Sequence, residues 1–289
     1  VPRDRAALGS FLRACRDRLT PAEAGIAAFP GPRRVPGLRK EELAVLAGLS
    51  ADYYSRLEQG RQPTISDDVQ EALSRALRLD AVERAHLHDL AAPLSRRRTT
   101  TWQTRQAPEP GLLRVMTGLD HLPLLLLGRC GEVLARNALL TEVLGRPLDP
   151  GTSFPKYLLT DPSARERITN WAEFAEAIVG SLRLELGRRP GDRVLATLLN
   201  DLRTADPDIA HWWEAQGVAD RTSLTKRIMH PVAGPLTFEI EAVCLPHAPD
   251  QRLVIYTVEP DSPTARILPL LSSWNSADVD AEPKLALSD

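Results

Sequence analysis

Residues 37–60, GLRKEELAVLAGLSADYYSRLEQG, constrain the fold of this chain more than any other stretch. Leu43, Ala44 and Ala47 recur at helical spacing before Gly48, which suits the left-handed turn that ends a helix, and Ser50 can cap the next one. On that next helix Tyr54 and Leu57 share an inward face. Two short amphipathic helices meeting at a tight turn form a helix-turn-helix, whose second member is built to lie in a DNA major groove. With Tyr54 and Leu57 inward, the 3.6-residue period turns Ala51, Asp52, Ser55, Arg56 and Gln59 outward. That set suits base edges: Arg56 offers a bidentate fork to guanine, Ser55 and Gln59 donate or accept, and Ala51 can touch a thymine methyl. Asp52 either accepts from a cytosine amino group or repels a phosphate, and both roles stay open.

The flanks extend the motif to an all-α head over residues 1–91. Ala6 to Leu19 reads as a helix with Leu8, Phe11, Leu12, Cys15 and Leu19 near one face. Thr20-Pro21-Ala22-Glu23 is a capping box that starts a short turn ending at Gly25. The Pro/Gly-rich segment that follows carries Arg33 and Arg34 at its tip, either as a solvated loop or as a phosphate or minor-groove arm. Arg39, Lys40 and Arg61 are expected to meet phosphates. Ser66 caps a helix holding Val69, Leu73, Ala76 and Leu77, and Asp80 to Glu83 opens a fifth with Ala85, Leu87 and Leu90. His86 and His88, two apart, fall on different faces and read as surface histidines. Residues 92–110, with Arg96 to Arg98 and Trp102, read as a linker whose tryptophan docks on a domain or a second subunit.

A second domain is expected over 111–274, with 275–289 as a flexible tail. Leu112 to Leu119 suggests a helix, and Leu122 to Gly128 with Glu132 to Ala135 a strand pair turning at Cys130-Gly131. Asn137 to Leu144 resumes helix, and one long helix is predicted over Ala164 to Leu186, its stripe formed by Ile168, Trp171, Ala175, Ile178, Val179 and Leu182. Helices over Val194 to Leu202 and Ile209 to Ala215 continue the layer. The period then changes: Ser223 to His230, Leu236 to Leu245 and Leu253 to Glu259 alternate apolar and polar residues as consecutive antiparallel strands. Two strands, helices, then three strands is the order of a PAS-like α+β domain, although other α+β folds share it.

A length of 289 residues suits two domains. The near-zero net charge hides a split, with 17 Arg and Lys against 13 Asp and Glu in residues 1–100 and an acidic remainder. A basic head fits phosphate contact. No run reaches a membrane span's apolar length, and the N-terminal residues lack a signal peptide's core, so a cytoplasmic, nucleoid-associated protein is expected. Cys15, Cys130 and Cys244 are odd in number and far apart, reading as buried free thiols rather than a disulfide or metal site. The chain has no Gly-rich phosphate loop, His-Glu-x-x-His or nucleophile elbow, so no enzyme, metal or cofactor is expected.

Residues 42–61, ELAVLAGLSADYYSRLEQGR, resemble the xenobiotic-response-element (Cro/repressor-like) helix-turn-helix, and the longer GLRKEELA…DYYSRLEQGR is similar to MmyB-like actinobacterial regulators. By position the resemblance points to Ala51, Asp52, Ser55 and Arg56 as recognition residues. Leu134 to Asn137, Arg183, Thr222 to Lys226 with His230-Pro231 and Gly234, and Arg252 to Pro260 resemble the ligand-binding domain of the same family. Many relatives carry Ser-Gly-x-Lys where this chain has Ser223-Leu224-Thr225-Lys226. The resemblance implies a PAS-like domain and a fatty-acid-type ligand. Such a ligand needs apolar walls, for which Tyr157, Trp171, Phe174, Ile178, Trp212, Phe238 and Tyr256 are candidates, and a polar anchor, for which Arg183, Lys226 and His230 are. Ordinary core packing is the favoured reading of each wall residue taken alone. The partners expected are double-stranded DNA, an apolar small molecule and a second copy of the chain, with no membrane. The alternatives are a second domain that only dimerises or binds protein, or an enzyme fused to a DNA-binding head.

Overall fold

The computed structural model describes residues 3–62, 65–92, 106–219 and 224–280. The first six helices are α1 (Arg3–Arg18), α2 (Pro21–Ala24), α3 (Lys40–Ala47), α4 (Ala51–Glu58), α5 (Asp67–Ala76) and α6 (Ala81–Ala91). The one-turn α2 is the Thr20 capping box, so the five expected helices are present with it as a sixth element. Gly48 sits at φ 66° after α3, and the Ser50 hydroxyl accepts from the Tyr53 N–H at 3.1 Å to start α4. The two-helix turn thus rests on a left-handed residue and a cap. Leu8, Phe11 and Leu12 of α1 bury against Leu43, Tyr54, Leu57, Leu73 and Leu87 in one apolar cluster. A Cβ on Gly9 would stand 2.2 Å from the Glu58 carbonyl oxygen, so only glycine lets α1 pass α4 this closely.

Two expectations change here. His86 is buried, its ring edge-on to Phe11 at a centroid distance of 5.0 Å, because α6 turns it into the gap beside α1. Of the cysteines, Cys15 is buried, Cys130 intermediate and Cys244 exposed. Burial pushes the Cys15 thiol up to about 12, so it behaves as a small apolar side chain.

After residue 106 come α7 (Pro110–Gly118), β1 (Leu124–Leu127), β2 (Val133–Arg136), α8 (Ala138–Leu144), α9 (Phe154–Thr160), α10 (Pro162–Arg167), α11 (Trp171–Arg188), α12 (Arg193–Ala205), α13 (Pro207–Glu214), β3 (Leu224–His230), β4 (Gly234–Leu245), β5 (Ala248–Thr257) and α14 (Pro263–Asp280). The strands form one antiparallel sheet in the order β2-β1-β5-β4-β3. The expected strand pair and three consecutive strands therefore close into a single sheet. Leu112 and Met116 of α7 pack on Leu124 and Leu126 of β1 and Leu253 of β5. Along β3, Lys226, Ile228 and His230 are buried while Arg227 and Met229 are exposed, the alternation of a sheet covered on one face. Register places Lys226 opposite Phe238 and Ile240 opposite Tyr256.

The long helix predicted from Ala164 to Leu186 is two helices. Ile168 leaves the helical path to form a bridge with Ile228, and the Thr169 N–H donates to the Arg227 carbonyl at 2.9 Å before α11 begins. A pairing with β3 overrides the apolar period. Helices α9 and α14 were not anticipated. The expected Arg96 to Arg98 run and Trp102 lie outside the described residues, as do 281–289. Among the described residues no helix is long and apolar enough to cross a membrane.

By contact the chain divides into two units, the first drawn from residues 1–101, 179–197 and 210–220, the second from 102–178, 198–209 and 221–289. The first half of α11 thus belongs to the second unit and its second half to the first. Val218 packs on the apolar cluster of α1, α3 and α4.

Candidate functional site

Helix α4 is held from beneath by Tyr54, Leu57 and Glu58, all buried. Glu58 is the residue that sequence periodicity missed: its carboxylate takes Arg16 Nε at 2.6 Å and has Lys40 Nζ at 3.4 Å and Arg13 Nε at 3.8 Å. Burial pushes its carboxyl up, but hydrogen bonds from Arg16 and Tyr54 and the charges of Arg16 and Lys40 outweigh it and hold the group below its ordinary value. A carboxylate fixed among cations clamps α4 to α1 and to the start of α3.

The outward face of α4 is open: Ala51, Asp52, Arg56 and Gln59 are exposed and Ser55 is intermediate. Its polar groups are paired among themselves. Arg56 meets Asp52 at 3.2 Å, and the Ser55 hydroxyl takes Gln59 Nε2 at 3.2 Å and Lys40 Nζ at 3.4 Å. Both exposed pairs are weak and can be exchanged for base edges.

The five cations expected at phosphates separate into two groups. Arg39 donates to the carbonyls of Pro30, Gly31 and Pro32 at 2.9, 2.7 and 3.0 Å, and Arg33 to Gly37 O and, at 2.8 Å, to Glu42. Buried Glu42 also accepts from the backbone N–H of Phe29 and Arg39, so these side chains fold the Pro/Gly-rich loop onto the start of α3. Lys40 bridges Glu58 and Ser55. Arg34 and Arg61 are exposed.

In the second unit, Lys226 is a fully buried cation, 1% exposed. Its ammonium donates to the Tyr256 hydroxyl at 3.0 Å and stands 5.1, 5.3 and 5.6 Å from the ring centres of Tyr256, Phe174 and Phe154. No ion pair reaches it among the described residues. Burial alone pulls the amine down to about 7. Tyr256 is pushed above its ordinary value by burial and stays a phenol. Phe238 completes the ring, edge-on to Tyr256 at 5.6 Å.

The remaining candidates are placed differently. His230 uses both ring nitrogens, Nε2 donating to Glu142 O at 3.1 Å and Nδ1 accepting from Val232 N and Ala233 N, so it caps the β3–β4 turn as a neutral ring. Arg183 and Trp212 lie in the first unit, where Arg183 donates to carbonyls of Gly217 and Trp213 beneath the Trp213 ring at 4.4 Å. Trp171 donates its indole N–H to Leu158 O at 2.7 Å, and Tyr157 lies under Arg146 at 5.3 Å. Ile178 is buried on α11. Phe154 was not singled out from the sequence, although Ser153 and Pro155 around it are a cap and a first-turn proline that announce α9.

A family model for a helix-turn-helix domain matches residues 7–87, and the model of the MmyB-like transcription regulator ligand binding domain matches residues 108–271. No match was found among curated proteins. The second match covers more than half of the chain and takes in Lys226, Tyr256, Phe154 and Phe174. The chain belongs to the MmyB-like transcription regulators, a DNA-binding helix-turn-helix followed by that family's ligand-binding domain.

Proposed function

We propose that this regulator reads a specific operator as a homodimer and that an apolar, fatty-acid-like molecule, held in a PAS-like second domain, changes its affinity for that operator. The observation that carries the DNA reading is the exposed polar face of α4, mounted on a helix fixed by buried Tyr54, Leu57 and Glu58. One such helix spans only a few base pairs, so a two-fold dimer reading half-sites about 34 Å apart supplies the length of a specific site. What supports the ligand reading is a lysine enclosed by Phe154, Phe174 and Tyr256 with no acidic partner among the described residues. The chain order of strands and helices supports the PAS-like reading. The ligand acts only through unequal affinity for DNA-competent and incompetent arrangements of the dimer.

Selection of duplexes from a random pool at fixed salt tests the DNA reading. Arg56→Ala is expected to relax preference at one base position, at a cost of about 1–3 kcal/mol on the preferred sequence. Arg34→Ala and Arg61→Ala are expected to weaken all duplexes alike and to flatten the salt dependence by about one counterion each. An Arg56→Ala protein that selects the unchanged sequence removes Arg56 from the base-reading set.

A further inference from the structure

The outward residues of α4 fall into two rows. Asp52 and Arg56 form one, an exposed pair of the kind that opens readily. Ser55 and Gln59 form the other, and it is tethered from behind. Lys40 Nζ donates to the Ser55 hydroxyl oxygen at 3.4 Å and stands 3.4 Å from the carboxylate of Glu58, whose side chain is fully buried. Gln59 Nε2 donates to the same hydroxyl oxygen at 3.2 Å. A serine hydroxyl has one O–H to give and two lone pairs with which to accept. Both lone pairs of Ser55 are thus in use, while its O–H is not. Thr117, Thr160 and Thr204 turn their hydroxyls back onto the carbonyl four residues earlier in their helices, whereas Ser55 makes no such bond among the described residues.

We propose that Ser55 is a donor-only reader of the operator, taking a base-edge acceptor and rejecting cytosine, and that Lys40, its ammonium shared between Ser55 and Glu58, is the positioning residue that fixes this polarity. This rests on the DNA reading above. Lys40 then serves specificity, in place of the phosphate contact expected from its sequence position. Gln59 is free to leave Ser55 for a base edge of its own, but Lys40 stays, because Glu58 holds its ammonium from the other side. A cation donating to a hydroxyl oxygen draws electron density from it, so the O–H becomes a stronger donor and the oxygen a poorer acceptor.

The consequence for sequence is specific. In the major groove guanine offers N7 and O6, adenine N7 and thymine O4 as acceptors, whereas cytosine offers the N4 amino group, a donor. A serine that turns either way accepts from cytosine as readily as it donates to the other three. With its oxygen committed to Lys40, Ser55 meets cytosine donor to donor. One orientation of the G·C pair is therefore shut out at the base pair that Ser55 faces.

The test selects duplexes from a random pool with the full chain, unaltered and as Ser55→Ala and Lys40→Met, and then measures the selected duplexes across a range of salt. Support is a base pair whose preference Ser55→Ala relaxes, at which the unaltered protein disfavours one orientation of G·C by about fivefold or more, and at which Lys40→Met admits that orientation while its other preferences hold. A Lys40→Met protein that weakens on every duplex, with the salt dependence flattened by about one counterion and all base preferences kept, makes Lys40 a phosphate contact and overturns the proposal. So does a Ser55→Ala protein that selects the unchanged sequence, or an unaltered protein that takes both orientations of G·C where Ser55→Ala relaxes. Ser55 lies at the surface, so its substitution decides the matter if Lys40→Met fails to fold. Each of these results leaves DNA reading standing, whereas an unaltered protein that selects no sequence overturns both.

Discussion

Glu58→Ala is expected to lower the stability of the N-terminal unit by about 3–5 kcal/mol, the usual penalty for removing one partner of a buried ion pair. Arg16 is 3% exposed, and with Glu58 gone its guanidinium keeps, among the described residues, the Leu38 carbonyl and the Asp17 carboxylate. Against a total stability of about 5–15 kcal/mol, such a loss unfolds a large fraction of molecules at moderate temperature. The cause is a buried cation left short of partners and not the mere loss of a bond, so Glu58→Leu combined with Arg16→Met should recover most of the stability. The pair is also visible in pH. Glu58 is held below its ordinary value in the folded protein, so its contribution is complete above the unfolded carboxyl value of about 4.3 and is lost as pH falls through the folded value. Urea midpoints of the two variants followed by circular dichroism check this; a loss below about 1 kcal/mol for Glu58→Ala means that the clamp is incidental.

Lys226→Met is expected to act in the opposite direction and to stabilise the ligand-free protein. Burial holds the amine near 7 in the folded state against about 10.4 unfolded, so between those values the unfolded chain binds more protons. Stability of the unaltered protein therefore rises with pH across that window, and the full burial penalty applies below it. Methionine fills a similar volume without a charge. The gain should be a few kcal/mol near pH 6 and should fade toward zero by about pH 10. Melting temperatures across that range measure it; a variant destabilised equally at every pH shows that the methionine packs badly and that the charge carries no penalty.

How much of this was readable in advance depends on the range of the interactions. The turn at Gly48 and Ser50, the inward pair Tyr54 and Leu57 and the outward face of α4 are local, and a period and a cap identify them. Glu58 was not identified, because a charged residue in a helical pattern is assigned to solvent by default and it is a distant partner, Arg16, forty-two positions away, that reverses that. Arg39 was read as a phosphate contact, and Arg33 as either that or part of a solvated loop, for a similar reason: nothing local shows that the Pro/Gly-rich loop folds back to offer carbonyls. The break at Ile168 depends on Ile228 in β3, and the burial of His86 on Phe11 of α1. Lys226, Arg183 and His230 had equal standing as anchors, since the partners that separate them come from α9, β5, α13 and α8. The family resemblance covered both domains but assigned no role among the three.

The first unit is assembled from three separated stretches, and Val218 packs on the same cluster as Tyr54 and Leu57. Gly187 lies close enough to His86 that a Cβ there would stand 2.8 Å from the imidazole ring. Genetic boundaries and physical boundaries therefore disagree. A fragment cut just after α6 keeps all six helices yet bares the apolar ground on which Val218 rests, so it should be prone to self-association. Anyone grafting this reader onto another sensor must carry residues 179–197 and 210–220 along or replace that surface with polar side chains; the head is not an interchangeable cassette.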